Sequence, residues 1–536
     1  MSFIMPLFKI LLTALLSIWT IHLCQAQRNV LVIIADDLGT DYLGFYKDHK
    51  DTVEVPNLRK LVSRGVLFQN AASNPVCSST RSGILTGRYS FRTGVGGIVG
   101  GAGGSMPLDT AENTIPRILK ILNPEIATAN IGKWHLQQAM PVSNLKFPNI
   151  MGYDHFEGPF IGQLSSFTNW TKYINGVATN VTNYATSENV NNAVAWLKNQ
   201  NKKPFFLWLA FNAPHEPLHL PPADLHHYKN LSGTAQDIRA NPKSYFKAMI
   251  QALDHEMGRL FDSLQVMGKL DNTDIIFIGD NGNTQKTDQS TDTARAKGTV
   301  YQNGIHVPFM IAGPSVKNPG QITDALVNTT DIFASVFELF GFTNWSSLID
   351  PKKPVDSKSI LPFIREESNQ IRPWSFSEIF KLTPDASEAK SIRNPDFKLI
   401  KFNSGKEEFY NLKTDPEEKV NLLESNMTTE EITQYYYLCN EMENLLGVGN
   451  ICLTTVDSKD HAGSYSTSIV YPNPFNSKIK IKQFSNSTIA ELYNIMGERI
   501  YAGSQIENMD FSYLPSGTYV LKILVKPVQI VRITKE

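Results

Sequence analysis

Net charge is what this chain most lacks. Among 536 residues, 50 lysines and arginines stand against 51 aspartates and glutamates, a formal balance of −1. That excludes a globally basic nucleic-acid surface, so any anionic ligand must be held by locally placed Lys, Arg, His or metal. A membrane-length apolar run is missing as well. Ile10 to Ile21 follows Lys9, falls short of a span, and ends in Cys24-Gln25-Ala26-Gln27. It reads as a secretory signal cleaved near Ala26, with a retained anchor as the alternative. Cysteine is scarce, at four residues. Without the signal only Cys77, Cys439 and Cys452 remain; Cys439 and Cys452 are placed for a local disulfide in an exported protein, and Cys77 is the odd one out. The glycine-rich stretch Gly94 to Ser105 lacks the Gly-Lys-Ser/Thr ending of a phosphate loop and reads instead as the flexible lip of a site.

The length predicts two or three domains. Val30 to Ala35 is a continuous Val- and Ile-rich run, the mark of a strand buried on both faces, and it ends in Asp36-Asp37-Leu38-Gly39. Asn57 to Arg64 has helical spacing, and Val66 to Ala71 is a short strand leading to Cys77. The strand-end pattern recurs: Thr128 to Ile131 runs into Gly132-Lys133-Trp134-His135, Phe205 to Phe211 into Asn212-Ala213-Pro214-His215, and Ile275 to Ile278 into Gly279-Asp280-Asn281-Gly282. Tyr245 to Leu270 and Asp331 to Phe340 read as helices, and Val307 to Ile311 as a further strand. This alternation predicts an α/β fold, a mainly parallel sheet sandwiched by helices, with ligands at the carboxyl ends of the strands. Four strand ends carrying acids, amides, histidines or lysine should therefore converge on one crevice.

Cys77-Ser78-Ser79-Thr80-Arg81 stands where a turn gives way to a short helical pattern. Backbone N–H groups would point at the thiol, and Arg81 returns to the same face one turn later. A lone cysteine there would ordinarily be a packing residue; its companions argue otherwise. Asp36, Asp37, Asp280 and Asn281 are hard oxygen ligands suited to Ca²⁺ or Mg²⁺, with the modified Cys77 side chain or a substrate oxygen completing the shell. His135 and His215 suit an acid–base pair. Lys133 and Lys297 suit clamps on a tetrahedral oxyanion.

Further on the style changes. Phe397 to Phe402 and Glu408 to Leu412 alternate like strands of a small antiparallel sheet, and Glu430 to Leu446 is helical, which predicts a subdomain over Arg372 to Ser458. From Ser464 the chain turns to Ser, Asn, Thr and β-branched residues around short alternating strands, a terminal all-β module. The domain reading is thus a signal at 1–26, a catalytic domain at 27–371, a subdomain at 372–458 and a module at 464–536.

Cys77 to Arg88, Gly132-Lys133-Trp134-His135 and Asp280-Asn281-Gly282 resemble, in family order, the signature segments of formylglycine-dependent sulfatases, relatives of alkaline phosphatase. The resemblance runs from about Asn29 to the Cys439 region. It implies that a maturing enzyme oxidises Cys77 to formylglycine, whose hydrate is the nucleophile, and that Arg81 steadies it. It implies one metal ion, Ca²⁺ ahead of Mg²⁺, on Asp36, Asp37, Cys77, Asp280 and Asn281. Lys133 and Lys297 would hold sulfate oxygens, His215 would protonate the leaving alcohol, and His135 would help expel sulfate. Ser79 stands where the family has Pro or Ala, Glu125-Ile126 where it has Gly-Tyr, and Gln302-Asn303-Gly304 where Glu-Gly-Gly is frequent.

Tyr471-Pro472-Asn473-Pro474-Phe475, Leu492-Tyr493-Asn494 and Leu514-Pro515-Ser516-Gly517-Thr518-Tyr519 are similar to motifs of the C-terminal sorting domain of type IX secretion; the alternative is a carbohydrate-binding or adhesive β-sandwich. The expected protein is a secreted or cell-surface sulfatase acting on a sulfated carbohydrate. Its expected partners are a maturing enzyme and the type IX machinery, with no nucleic acid. A phosphodiester or phosphonate monoester hydrolase, and a non-catalytic binder of sulfated glycans, are the alternatives.

Overall fold

The structure is a computed structural model that describes residues 28–101, 104–449, 451–452, 469–482, 488–494, 498–524 and 529–536. The expected signal at 1–26, with Cys24, lies outside the described residues, as do residues 102–103 of the glycine-rich stretch.

Ten strands form the main sheet: β1 (Asn29–Ala35), β2 (Gly65–Ala72), β3 (Ala127–Gly132), β4 (His155–Gly158), β5 (Trp170–Ile174), β6 (Val177–Val181), β7 (Phe205–Ala210), β8 (Thr273–Gly279), β9 (Phe309–Ala312) and β10 (Gln321–Asn328). Their spatial order is β10-β2-β9-β8-β1-β7-β3-β4-β5-β6. The centre is parallel, with β1 between β8 and β7, and β3 beyond β7. β9 runs antiparallel between β2 and β8, and β5 and β6 form an antiparallel edge. From Val30 to Ala35 β1 is apolar because it serves two cores. Leu31, Ile33 and Ala35 pack on one face, while Val30, Val32 and Ile34 pack on the other.

Helices cover both faces. On the first lie α1 (Pro56–Ser63), α3 (Ala185–Asn199) and the long α4 (Pro242–Val266), which buries Phe246, Met249, Leu253 and Leu260. On the second lie α2 (Cys77–Thr86), through Ile84 and Leu85, and α5 (Ile332–Leu339), through Ile332, Phe333 and Val336. The expected helix reaching Leu270 stops at Val266, because Gly268 adopts a left-handed φ of 64°.

Beyond the main sheet, β11 (Ser375–Ile379), β12 (Ala389–Arg393), β13 (Phe397–Phe402) and β14 (Glu407–Asn411) make an antiparallel sheet backed by α6 (Thr429–Leu446). Thr428 and Glu431 cap that helix reciprocally, and Gly447 ends it. Cys439 and Cys452 are joined in a disulfide, and Cys77 is free and buried. The terminal module holds β15 (Ile469–Tyr471) and β16 (Lys480–Lys482), and a second sheet in the order β18-β17-β19-β20, formed by β17 (Ala490–Asn494), β18 (Arg499–Gly503), β19 (Gly517–Ile523) and β20 (Gln529–Lys535). No helix among the described residues is long and apolar enough to cross a membrane.

Candidate active site

Four adjacent central strands, β8, β1, β7 and β3, release their chains at the same edge of the sheet. β1 delivers Asp36 and Asp37. The Asp36 N–H bonds the carbonyl of Ala213 beyond β7, and the Asp280 N–H bonds Ala35. Asp37 turns off with φ of 62°, and its N–H donates to Asp280 Oδ1 at 3.1 Å. β3 ends at Gly132, with φ of 99°; a Cβ there would lie 1.8 Å from the Ala210 carbonyl, so only glycine lets the strand hand Lys133 inward. Gly162 leaves room for the His135 ring, whose Cε1 would be 2.3 Å from an added Cβ.

Cys77 opens α2 with its thiol enclosed. Its Sγ lies 3.1 Å from Nδ1 of His135. Arg81, fully buried, donates through Nε and Nη2 to Asp280 Oδ2 at 3.0 and 2.7 Å and through Nη1 to the Lys133 carbonyl. Lys133 Nζ bonds Asp36 Oδ2, and Lys297 Nζ bonds Asp37 Oδ1, each at 2.5 Å. His215 Nδ1 faces the Glu216 carbonyl at 2.7 Å, and its Nε2 lies 3.6 Å from Asp37 Oδ2. Asn281 donates to Asp37 Oδ1 and to the Gly282 carbonyl. The structure thus gathers Asp36, Asp37, Cys77, Arg81, Lys133, His135, His215, Asp280, Asn281 and Lys297 into one contact network.

Burial would raise the Asp36 carboxyl, but Lys133, His215 and Arg81 outweigh it and hold it below the usual carboxylate value. Asp37 is lowered in the same way, by His215 and Lys297 against burial. Burial lowers the His135 imidazole well below its ordinary value, reinforced by Lys133, Arg81 and Lys297, so the ring is neutral. Burial raises the Cys77 thiol in spite of Lys133 and Lys297.

The donor set can be tested for a metal. Asp36 Oδ1, Asp37 Oδ2 and Asn281 Oδ1 are all buried and without hydrogen-bond partners. Orphaned oxygens of this kind are costly in a protein interior and are what a hard cation takes. The ligand atoms of Asp36, Cys77 and Asp280 lie within 4.8 Å of one another, as do those of Asp36, Asp37 and His215. The residues fit a hard divalent cation. The charges of Asp36, Asp37 and Asp280 are offset by Arg81, Lys133 and Lys297, so a divalent cation would leave the site positive and receptive to an anion.

Two residues outside the expected set tie the site together. The Ser78 hydroxyl donates to the His135 carbonyl at 2.9 Å and accepts the Val99 N–H at 3.1 Å, so the glycine-rich loop is tethered to α2. Asn283 accepts the Gly39 N–H at 2.8 Å and steadies the turn after Asp37. Position alone signalled them, as neighbours of Cys77 and Asn281.

An α/β sheet that gathers a buried cysteine, two lysines and several hard oxygen donors beyond the carboxyl ends of its central strands has the chemistry to receive an oxyanion ester. The sulfatase family model matches residues 28–342, more than half of the chain, which belongs to the sulfatase family. The C-terminal model of N-sulphoglucosamine sulphohydrolase matches residues 295–445, and that of the secretion system C-terminal sorting domain matches 469–532. Arylsulfatase J of Mus musculus is 28% identical over 59% of this chain and 52% of its own length, so the chain spans about half of that relative. An arylsulfatase of Klebsiella aerogenes is 25% identical over 66% of this chain and 94% of its own. A protein solved with its substrate D-glucosamine-2-N,6-O-disulfate superposes with a TM-score of 0.61 at 20% identity, covering 79% of this chain and 98% of that one. That likeness is one of fold. The sorting domain marks the chain for export.

Proposed function

We propose that the protein hydrolyses sulfate esters of a carbohydrate outside the cell. The observation that carries this reading is the enclosure of Cys77 among Lys133, His135, Lys297 and the orphaned oxygens of Asp36, Asp37 and Asn281. Formylglycine at position 77, as its hydrate, would supply the nucleophilic oxygen, and a Ca²⁺ ion on Asp36, Asp37, Asp280 and Asn281 would neutralise charge on the sulfate group. Lys133 and Lys297 bind the sulfate oxygens. His215 gives its Nδ1–H to the Glu216 carbonyl, which leaves Nε2 to hold the proton for the departing alcohol. His135 is neutral and presents Nδ1 to position 77, where it accepts a proton as sulfate leaves. Arg81 fixes Asp280.

The sulfated sugar bound by the structural relative supports a carbohydrate substrate. On this reading the chain divides into a signal at 1–26, a catalytic domain at 27–371, a subdomain at 372–458 and a sorting module at 464–536. A maturing enzyme and the type IX machinery are its partners. Ser79, whose hydroxyl donates to the Val76 carbonyl at 2.9 Å, favours a second reading, in which Cys77 stays unconverted and the fold binds sulfated glycans.

Mass spectrometry of the tryptic peptide Gly65 to Arg81 from natively produced protein separates the two. Conversion exchanges sulfur and two hydrogens for one oxygen. A peptide carrying cysteine alone would replace the hydrolase reading with the binding one. Kinetics on aryl sulfate beside aryl phosphodiester fixes the ester class, and a panel of defined sulfated saccharides fixes the sugar.

A further inference from the structure

The sorting module has a two-faced sheet. Leu492, Tyr519, Leu521, Ile523 and Ile533 point into the module's own core. Strand alternation sends Thr518, Val520 and Lys522 to the opposite face, where β17 and β20 set Tyr493 and Arg532 directly across from Val520. That second face is largely covered. Val520 is buried in the core cluster of α6, together with Cys439 and Cys452, and Tyr493 packs against it. Thr518 donates to Asn440 at 2.8 Å, and Lys522 to Thr429 at 3.3 Å.

Glu443 stands at the centre. It lies in the last turn of α6, where the helix dipole disfavours a carboxylate, and its side chain is only 6% exposed. It accepts the N–H of Ile451, on the loop that the disulfide closes, at 3.0 Å. Both its oxygens also face the Arg532 guanidinium, with Nη1 at 3.0 Å from Oε1. One carboxylate therefore joins the disulfide loop to the module.

We propose that the stripe Thr429, Asn440 and Glu443 of α6 is a docking seat for the chain's own sorting module, and that the Cys439–Cys452 disulfide shapes it. The module is held on the body by buried Val520 with Tyr493 beside it, by the Arg532–Glu443 ion pair and by the hydrogen bonds of Thr518 and Lys522, and it seats fully only on a body whose disulfide has formed.

Hydrogen exchange followed by mass spectrometry on the full chain tests this, read at β19 and at the last turns of α6. Arg532→Glu and Glu443→Arg should each speed exchange at both places about tenfold or more, with β1 and β8 unchanged. The two together should restore slow exchange. Glu443→Arg lies outside the module, so loosening of β19 in that variant reports undocking. Cys452→Ala should loosen the same two segments. Wild-type exchange in both single charge variants, or a double variant as loose as the singles, overturns the seat. Wild-type exchange in Cys452→Ala overturns the disulfide's part in it.

Discussion

The Sγ of Cys77 and Nδ1 of His135 lie 3.1 Å apart in an interior where both are neutral. This is the reverse of a thiolate–imidazolium pair, since burial lifts the thiol and lowers the ring. It argues that sulfur itself is not the nucleophile. Protein produced without conversion and stripped of metal should alkylate slowly with iodoacetamide at neutral pH, at a rate still rising past pH 9. Alkylation at pH 7 as fast as that of a free thiol would contradict the assignment.

The proposed metal ligands should separate by what else they hold. Asp37→Asn keeps an acceptor for Lys297 and should fold with near-native stability, yet lose about 10³-fold or more in aryl sulfate hydrolysis. Asp280→Ala takes two hydrogen bonds from the fully buried Arg81, leaving it the Lys133 carbonyl and the longer 3.9 Å approach to Asp36, and should also cost about 3–5 kcal/mol of stability. Equal melting temperatures for the two variants would show that Arg81 does not depend on Asp280. A wild-type rate in metal-stripped Asp37→Asn protein would remove the metal from the reaction.

Glu378 gives a pH signature. Its Oε1 accepts the Phe91 N–H at 2.6 Å, its Oε2 lies 3.7 Å from Lys390 Nζ, and burial pushes its pKa from 4.5 up to about 7 against the pull of Lys390. Between those values the unfolded chain ionises while the folded one keeps its proton. Its contribution to stability is therefore whole at acid pH and is lost as pH rises toward 7. Glu378→Gln should remove that slope and gain on the order of 1–3 kcal/mol at pH 8. Parallel chemical-denaturation curves for wild type and variant from pH 5 to 8 would refute this.

Glu418 couples the small sheet to the loop that carries Lys297. Its Oε2 accepts the Gln302 N–H at 2.6 Å, and its carbonyl accepts from Arg295, two residues before Lys297. Glu418→Ala keeps the Arg295 contact, which is to the backbone carbonyl, but takes the acceptor from the Gln302 N–H and the ion pair from buried Lys398. It should lower kcat about 10–100-fold through the Gln302 end of the Lys297 loop, and Glu418→Gln, which keeps an acceptor, should recover most of it. Indistinguishable kinetics in the two variants would show that the contact does not reach the site.

A chain ending at Ser458 should hydrolyse sulfate esters as the whole protein does and should fail to be exported by its native host. Loss of catalysis in a truncated chain that is still folded would give the module a part in substrate binding.

The central strands were legible because burial on both faces turns them into unbroken apolar runs, and the polar residues that follow Ala35, Ile131 and Ile278 mark where each run meets the site. The edge was not. Val177, Ala178, Thr179 and Asn180 of β6 are exposed and carry no apolar rhythm. The antiparallel course of β9 leaves no trace in its composition. The fork of Arg81 on Asp280 joins residues far apart in sequence, which no local period encodes. Helix spacing put Arg81 on the Cys77 face, whereas its hydrogen bonds go to a carboxylate and a carbonyl across the crevice.

The enclosure of Cys77 has a consequence in time. The residue is 1% exposed, and Pro75, two residues before it, accepts the N–H of Gly298 from a loop made much later in synthesis. A thiol that leaves the ribosome early is sealed only when β8 and the Lys297 loop arrive. Any enzyme that rewrites Cys77 must work within that interval, on a chain still unfinished or unfolded. Once the lid of later residues has closed, a molecule that missed the interval keeps its sulfur for as long as it stays folded.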